Sequence, residues 1–285
     1  MPRPATSSTG AVLPLGEGPH NVTKQWSSIT RVGDRISTEP TDPDASRLAR
    51  VPKPQKPFVL DEASSTRQLG SLRGMYKYDY AVLGADGAIY FIPHWARRVL
   101  RLDPQTDTPA LIGSDFGGGM TKWSNGVLAN DGCIYCAPRH AAKVLCIDTN
   151  AQTTELVGSD YSGLAPGGRW SYTALAPDGC VYFCPWDAPQ FLRLDPTTRT
   201  TVLVGDDLGD GEDKFGGAAI AHDGRIYCAP CHSRRVLVLD PADCSCRFIG
   251  DDLGPALFKY FGVALGADGC AYAIPFKAHQ ALRID

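Results

Sequence analysis

The sequence predicts an all-β fold: a β-propeller of four-stranded antiparallel blades, five in number and closed by pairing of N- and C-terminal strands. Three observations carry this expectation. The pair Asp-Gly recurs at Asp86, Asp131, Asp178, Asp223 and Asp268, at spacings of 45, 47, 45 and 45 residues. Every copy has Tyr four residues after the Asp and Pro seven after it, from Tyr90 and Pro93 to Tyr272 and Pro275. An apolar run ending in Asp-Pro follows at Val99–Pro104, Phe191–Pro196 and Val236–Pro241, and a further short run ends in Gly113, Gly158, Gly205 or Gly250.

Each unit therefore holds four short apolar runs separated by turn residues, which is strand and hairpin punctuation rather than a 3.6-residue helical period. In the first unit strand a covers Tyr80–Gly84, strand b Ile89–Ile92, strand c Val99–Leu102 and strand d Ala110–Ile112. Asp-Gly suits a tight hairpin whose two central positions have positive φ. Small residues share one column of strand a (Ala81, Gly126, Thr173, Ala218 and Val263), as crowding near a propeller axis would require. Four strands in about 45 residues is the content of a blade, and solenoid units are shorter. The pattern Asp-Gly-x-Ile/Val-Tyr followed by an apolar strand ending in Asp-Pro resembles the propeller class that includes NHL-repeat, SMP-30-like and virginiamycin B lyase-like proteins. The resemblance spans residues 66–285 and implies propeller architecture; it transfers no catalytic motif residue by residue. The fifth unit reaches Asp285 after its strand c, and Thr66–Gly70 reads as a strand d that would complete that blade and remove an open edge.

Residues 1–60 differ in kind. They contain nine prolines and many Ser and Thr without either period, so a disordered arm is expected there, with the propeller over 61–285. A net charge of −3 lacks the basic footprint of nucleic-acid binding. No run approaches the ~18 apolar residues of a membrane span, and the start has no apolar signal-peptide core. The expectation is a monomer in the cytoplasm or another reducing compartment. The ten cysteines, spread through strand-like segments, read as free thiols.

In propellers of this connectivity the d–a and b–c loops share one face, where ligands bind. Nine residues before each Asp-Gly stands a cation followed by an aromatic: Lys77-Tyr78, Lys122-Trp123, Arg169-Trp170, Lys214-Phe215 and Lys259-Tyr260. With Arg97, Arg98, Arg139, Lys143, Arg234, Arg235 and Lys277 in the b–c loops, these ten residues form a candidate face for a protein or a small anionic or sugar-like ligand. The structural alternative places the aromatic between blades with its cation alongside, the charge met by Asp115, Asp160, Asp206, Asp207, Asp251 and Asp252 of the same loops. Cys228-Ala229-Pro230-Cys231-His232 matches the covalent haem pattern, yet Cys136-Ala137-Pro138-Arg139-His140 shows that Cys228 and His232 are ordinary repeat positions. No cofactor and no metal are expected.

Catalytic candidates are Asp79, the acid that breaks the column Ser124, Ser171, Gly216 and Phe261, and the loop histidines His94, His140 and His232. Paired-carboxylate chemistry is disfavoured, since the repeats hold just Glu155 and Glu212. The near-uniform repeats point to a non-enzymatic binding scaffold. A metal-assisted lyase or hydrolase at the central channel is the alternative.

Overall fold

The computed structural model describes Gln68, Leu69, Ser71 and residues 75–285. Among the described residues every regular element is a strand. Blade 1 consists of β1 (Tyr78–Leu83), β2 (Ile89–Pro93), β3 (Val99–Asp103) and β4 (Thr108–Ile112). Blade 2 is β5 (Trp123–Leu128), β6 (Cys133–Pro138), β7 (Val144–Asp148) and β8 (Thr153–Val157). Blade 3 is β9 (Trp170–Leu175), β10 (Val181–Pro185), β11 (Phe191–Asp195) and β12 (Thr200–Val204). Blade 4 is β13 (Phe215–Ile220), β14 (Ile226–Pro230), β15 (Val236–Leu239) and β16 (Cys246–Ile249). Blade 5 has β17 (Tyr260–Leu265), β18 (Ala271–Pro275) and β19 (Leu282–Ile284). Each sheet follows chain order with antiparallel neighbours. The expected N-terminal arm, with Thr66, Arg67 and Gly70 of the closing strand, lies outside the described residues; Gln68 and Leu69 are in no strand.

The Asp-Gly turns work differently from the two-residue hairpin the sequence suggests. Only the Gly is left-handed, with φ of 79° at Gly87 and 84° at Gly269. The amide of Gly87 donates to the Gly84 carbonyl (3.1 Å) and that of Gly84 to Ala88 (2.8 Å), a turn followed by one left-handed residue. The Asp contributes its carboxylate instead. Asp86 Oδ1 accepts from the Ala88 amide and Oδ2 from the Tyr90 hydroxyl, and the same two bonds recur at Asp131, Asp178, Asp223 and Asp268. The invariant spacing from Asp to Tyr is thus a hydrogen bond that anchors the inner hairpin.

Neighbouring innermost strands pack β1 on β5, β5 on β9, β9 on β13 and β13 on β17, and no comparable packing joins β17 to β1 among the described residues. At each interface the side chain six residues after one blade's Asp shares a core with the side chain five after the next blade's Asp. The pairs are Ile92 with Cys136, Ala137 with Phe183, Cys184 with Cys228, and Ala229 with Ala273. A fifth pair would be Ile274 with Phe91, and Ile274 is 39% exposed. The small column of strand a is explained by this packing: a Cβ on Gly126 would stand 2.6 Å from Ile92 Cδ1 of the preceding blade. At the next position outward in blade 4, a Cβ on Gly217 would stand 2.7 Å from the Gly262 backbone, so two strands meet there main chain to main chain.

Every a–b pair also carries a register shift near the start of strand a, as between Tyr78 and Tyr80 or Phe215 and Gly217. Such a bulge turns one residue out of the alternation. The bulged position, seven before the Asp-Gly, is the column of Asp79, Ser124, Ser171, Gly216 and Phe261.

Candidate functional site

The recurrent cations are built into the scaffold. Lys122, Arg169, Lys214 and Lys259 are buried, and Lys77 is half-buried. Lys214 Nζ donates to the carbonyls of Asp187 and Gly209 at 3.0 Å each and to that of Gly211. Lys259 Nζ donates to Ala256 and His232, Lys122 Nζ to Gly119, and Arg169 to Ala141. Each of the four buried cations therefore closes its own d–a loop or holds a neighbouring b–c loop through carbonyl oxygens, and burial lowers the pKa of Lys122, Lys214 and Lys259. Their aromatic partners Trp123, Trp170 and Phe215 fill the interfaces between blades. The indole of Trp123 donates to the Lys143 carbonyl and that of Trp170 to Gln190, both at 2.9 Å. The loop aspartates serve other cations than expected: Asp115 pairs with Arg97 at 2.9 Å and Asp252 with Arg234 at 2.8 Å.

Two sets of positions the repeat leaves variable occupy the same face. In each blade the residue ten before the Asp-Gly meets the residue nine after it. Tyr76 and Trp95 have ring centroids 5.3 Å apart, Thr121 Oγ1 bonds His140 Nδ1, Asp213 Oδ2 lies 3.6 Å from His232 Nε2, and Lys277 Nζ stands 4.7 Å over the Phe258 ring. The corresponding residues of blade 3 are Gly168 and Asp187. Tyr76, Thr121, Asp213 and Phe258 hold φ between 48° and 57°, a left-handed conformation that non-glycine residues adopt at an energetic cost and that often marks functional loops. Of these pairs the sequence singled out His140, His232 and Lys277 but none of their partners; the signal for the rest was disagreement between copies at in-register positions.

Closer to the axis, the bulged column meets the residue eight after the Asp-Gly. Asp79 Oδ2 is 3.9 Å from His94 Nδ1, which also bonds the Trp123 carbonyl at 3.1 Å. Ser124 Oγ donates to the Ser171 carbonyl, and Thr173 Oγ1 to Asn125 Oδ1. Burial raises the pKa of the Tyr172 hydroxyl, and the Asp79 charge adds to this. These groups make blades 1 to 3 a polar wall. A second row runs from blade 2 to blade 5: Arg139 lies over Trp186 at 4.7 Å, Trp186 meets Phe261 at 5.4 Å, and Phe261 meets Phe276 at 5.0 Å.

Of the remaining candidates, burial lowers the pKa of His140, with the Thr121 carbonyl opposing and Arg139 and Arg169 reinforcing. Burial raises the pKa of Asp187 above 3.8, opposed by the Asp213 amide. A carboxyl whose folded pKa is raised binds more protons folded than unfolded, so its charge costs stability once pH exceeds the folded value. Asp187→Asn, which keeps an oxygen for the Asp213 amide, is therefore expected to melt above the wild type at pH 7, with the gap closing below about pH 4; melting curves across that range check it.

Cys228 and Cys231 are fully buried. Cys228 Sγ contacts Cys184 Sγ at 2.9 Å, and burial pushes the Cys231 thiol up to about 12. Cys133 and Cys180 are buried and Cys270 is half-buried. β16 begins at Cys246, and Cys244 sits in the preceding turn at φ 59°. Among the described residues no three His, Cys, Asp or Glu side chains converge on a metal-sized site, and no helix is long and apolar enough to cross a membrane. A cleft of about 450 Å³ lies away from the axis between blades 1 and 2, bordered by Asp115, Trp123, Lys143 and Glu155.

No family model and no curated protein matches the chain. Solved structures match its fold. Virginiamycin B lyase from Staphylococcus aureus superposes with a TM-score of 0.58 at 11% identity over 73% of this chain and 66% of that one. Its catalytically inactive His-to-Ala variant with quinupristin gives 0.59 at 11% over 74% and 68%. Kuenenia stuttgartiensis hydrazine synthase gives 0.51 at 14% over 73% and 60%. The chain spans about two thirds of the length of the lyases. At such identities the likeness establishes propeller architecture, which hosts enzymes and binding proteins alike.

Proposed function

We propose that the chain is a non-enzymatic binding platform whose ligand or partner sits on the face formed by the d–a and b–c loops. One observation carries this reading. The positions that build each blade, the Asp-Gly turn with its Tyr and Pro and the cation before an aromatic, recur in all five copies, whereas those lining this face near the axis differ in chemistry from blade to blade. An aromatic pair, Thr with His, Asp with His, and Phe with Lys stand on one repeated frame, which is how a symmetric scaffold presents an asymmetric surface for recognition. The test is a thermal-shift screen of sugars, phosphorylated metabolites, organic acids and divalent metals at low salt. A ligand at a hundred times its Kd adds about 2.7 kcal/mol, or roughly 5–10 °C. The shift should vanish in His140→Ala or Lys277→Ala and persist in Gln105→Ala or Thr197→Ala on the opposite c–d turns. The reverse pattern would sink the proposal.

A metal-assisted lyase or hydrolase is a second reading, supported by Asp79 beside His94. Its signature is stabilisation by a divalent metal that is lost in Asp79→Ala.

A further inference from the structure

We infer that the axial part of this face is a site for a planar organic anion, an aromatic carboxylate held by Arg139 against the Trp186–Phe261–Phe276 row. This rests on the binding-platform reading and names its ligand class.

Arg139 differs from the other arginines of the blades in being unpaired while half-buried; Arg98, Arg235 and Arg247, which also lack an ion pair among the described residues, are exposed. Arg97, Arg101, Arg193, Arg199, Arg225 and Arg234 each pair with a carboxylate, and Arg169 is spent on a loop carbonyl. The Arg139 guanidinium has no hydrogen bond and no ion pair among the described residues; it lies on the Trp186 ring, and its Nε is buried without a partner. The guanidinium is positioned by the indole and feels the Asp187 charge without forming an ion pair with it, and its free edge presents paired donors that match a carboxylate. Leaving a buried donor unmet is costly, so its persistence at a surface-connected site signals a ligand or solvent acceptor.

The slot that Arg139 occupies is made by its neighbours. Its stem runs past Gly168, where a Cβ would stand 2.8 Å from both Cγ and Nε. The other four blades carry Tyr76, Thr121, Asp213 and Phe258 at this position; only blade 3 gives up a side chain there. Blade 4 gives up another at Gly216, whose Cβ would lie 2.2 Å from the Tyr260 carbonyl oxygen. With Gly216 and Cys231 as blade 4's two axial positions, Trp186 of blade 3 reaches Phe261 of blade 5 directly. The result is a row of tilted rings ending in Phe276, which is 48% exposed and offers an open aromatic edge to a ligand ring.

A second orphan lies in the same row. Ser171 is 4% exposed and its Oγ has no partner. Ser171 and Trp186 hold the positions that Asp79 and His94 hold in blade 1, where the two side chains stand 3.9 Å apart. The Asp79 charge, which reaches Tyr172 of blade 3, makes an arylalkyl ammonium the competing ligand class.

The experiment is calorimetric titration of the full chain with benzoate and indole-3-acetate, using benzyl alcohol, benzylamine and inorganic phosphate as controls. Both carboxylates should bind, and benzyl alcohol should not. Arg139→Met should weaken them at least about ten-fold, with Arg139→Lys in between. Phe276→Ala, a rim change that leaves the cores intact, should weaken the aromatic acids and provides the readout if Arg139→Met fails to fold. Equal affinity in wild type and both Arg139 variants would overturn the assignment, as would phosphate binding as tightly as benzoate. Benzylamine binding that is lost in Asp79→Asn would overturn the anion class while leaving the platform reading in place. If no probe binds, this inference falls alone whenever the loop-face screen still yields a ligand, and both fall if it yields none.

Discussion

Trp170→Ala is expected to lower the stability of the propeller by about 3–5 kcal/mol. The indole is fully buried in the core between blades 2 and 3, among Tyr135, Val144 and Phe183. Tyr161 packs edge-on against it at 5.2 Å. Truncation leaves a cavity between two sheets whose backbones are tied by their own ladders and cannot collapse together, so both the transfer loss and the cavity cost apply. The Gln190 carbonyl also loses its donor. Trp170→Phe keeps most of the volume and should recover more than half of the loss. Urea unfolding with an unchanged m-value is the appropriate measurement; a cost under 1 kcal/mol would mean that this interface does not hold the blades together.

Lys214→Met is expected to cost about 2–4 kcal/mol, or roughly 5–15 °C in Tm, without affecting ligands that bind near the axis. Two effects oppose each other. Burial penalises the charge, as the lowered pKa reflects, and removing it relieves that penalty. Three carbonyls, of Asp187, Gly209 and Gly211, then lose their common donor within a loop that has few other bonds. The second effect prevails because a methionine fills the same tunnel without satisfying any acceptor, whereas the ammonium met all three. If the recurrent cations formed the ligand ring, the outcome would be reversed, with melting unchanged and binding abolished. Melting curves of Lys214→Met with and without a bound ligand separate the two.

The scaffold was legible because its determinants are local and repeated. Asp86 and Tyr90 are four residues apart, and the turn that joins them is closed within five, so the same bond in five copies appears as a 45-residue period. Even there the mechanism needed coordinates: the Asp was expected to take positive φ and instead accepts two hydrogen bonds. The d–a and b–c loops do meet, but their residues divide in a way sequence could not foresee. Lys122 and Lys214 look like surface cations beside aromatics until the loop carbonyls that receive them are seen. Arg139 looked like one of seven loop cations, and its distinction is to lie half-buried on an indole without the carboxylate that Arg97 and Arg234 have, whereas the unpaired Arg98 and Arg235 are exposed.

By itself, then, the sequence determined the architecture, the strand register and the positions at which blades differ, since each depends on hydrogen bonds and side-chain alternation within a few residues. Tertiary structure decided which cations are buried, which guanidinium stays unpaired, and that Trp186 passes Gly216 to reach Phe261. Those outcomes depend on how bulged columns of different blades converge, over separations of 28 residues for Arg169 on Ala141 and 48 for Thr173 on Asn125. No periodicity encodes the direction in which a bulged side chain points once neighbouring blades are packed.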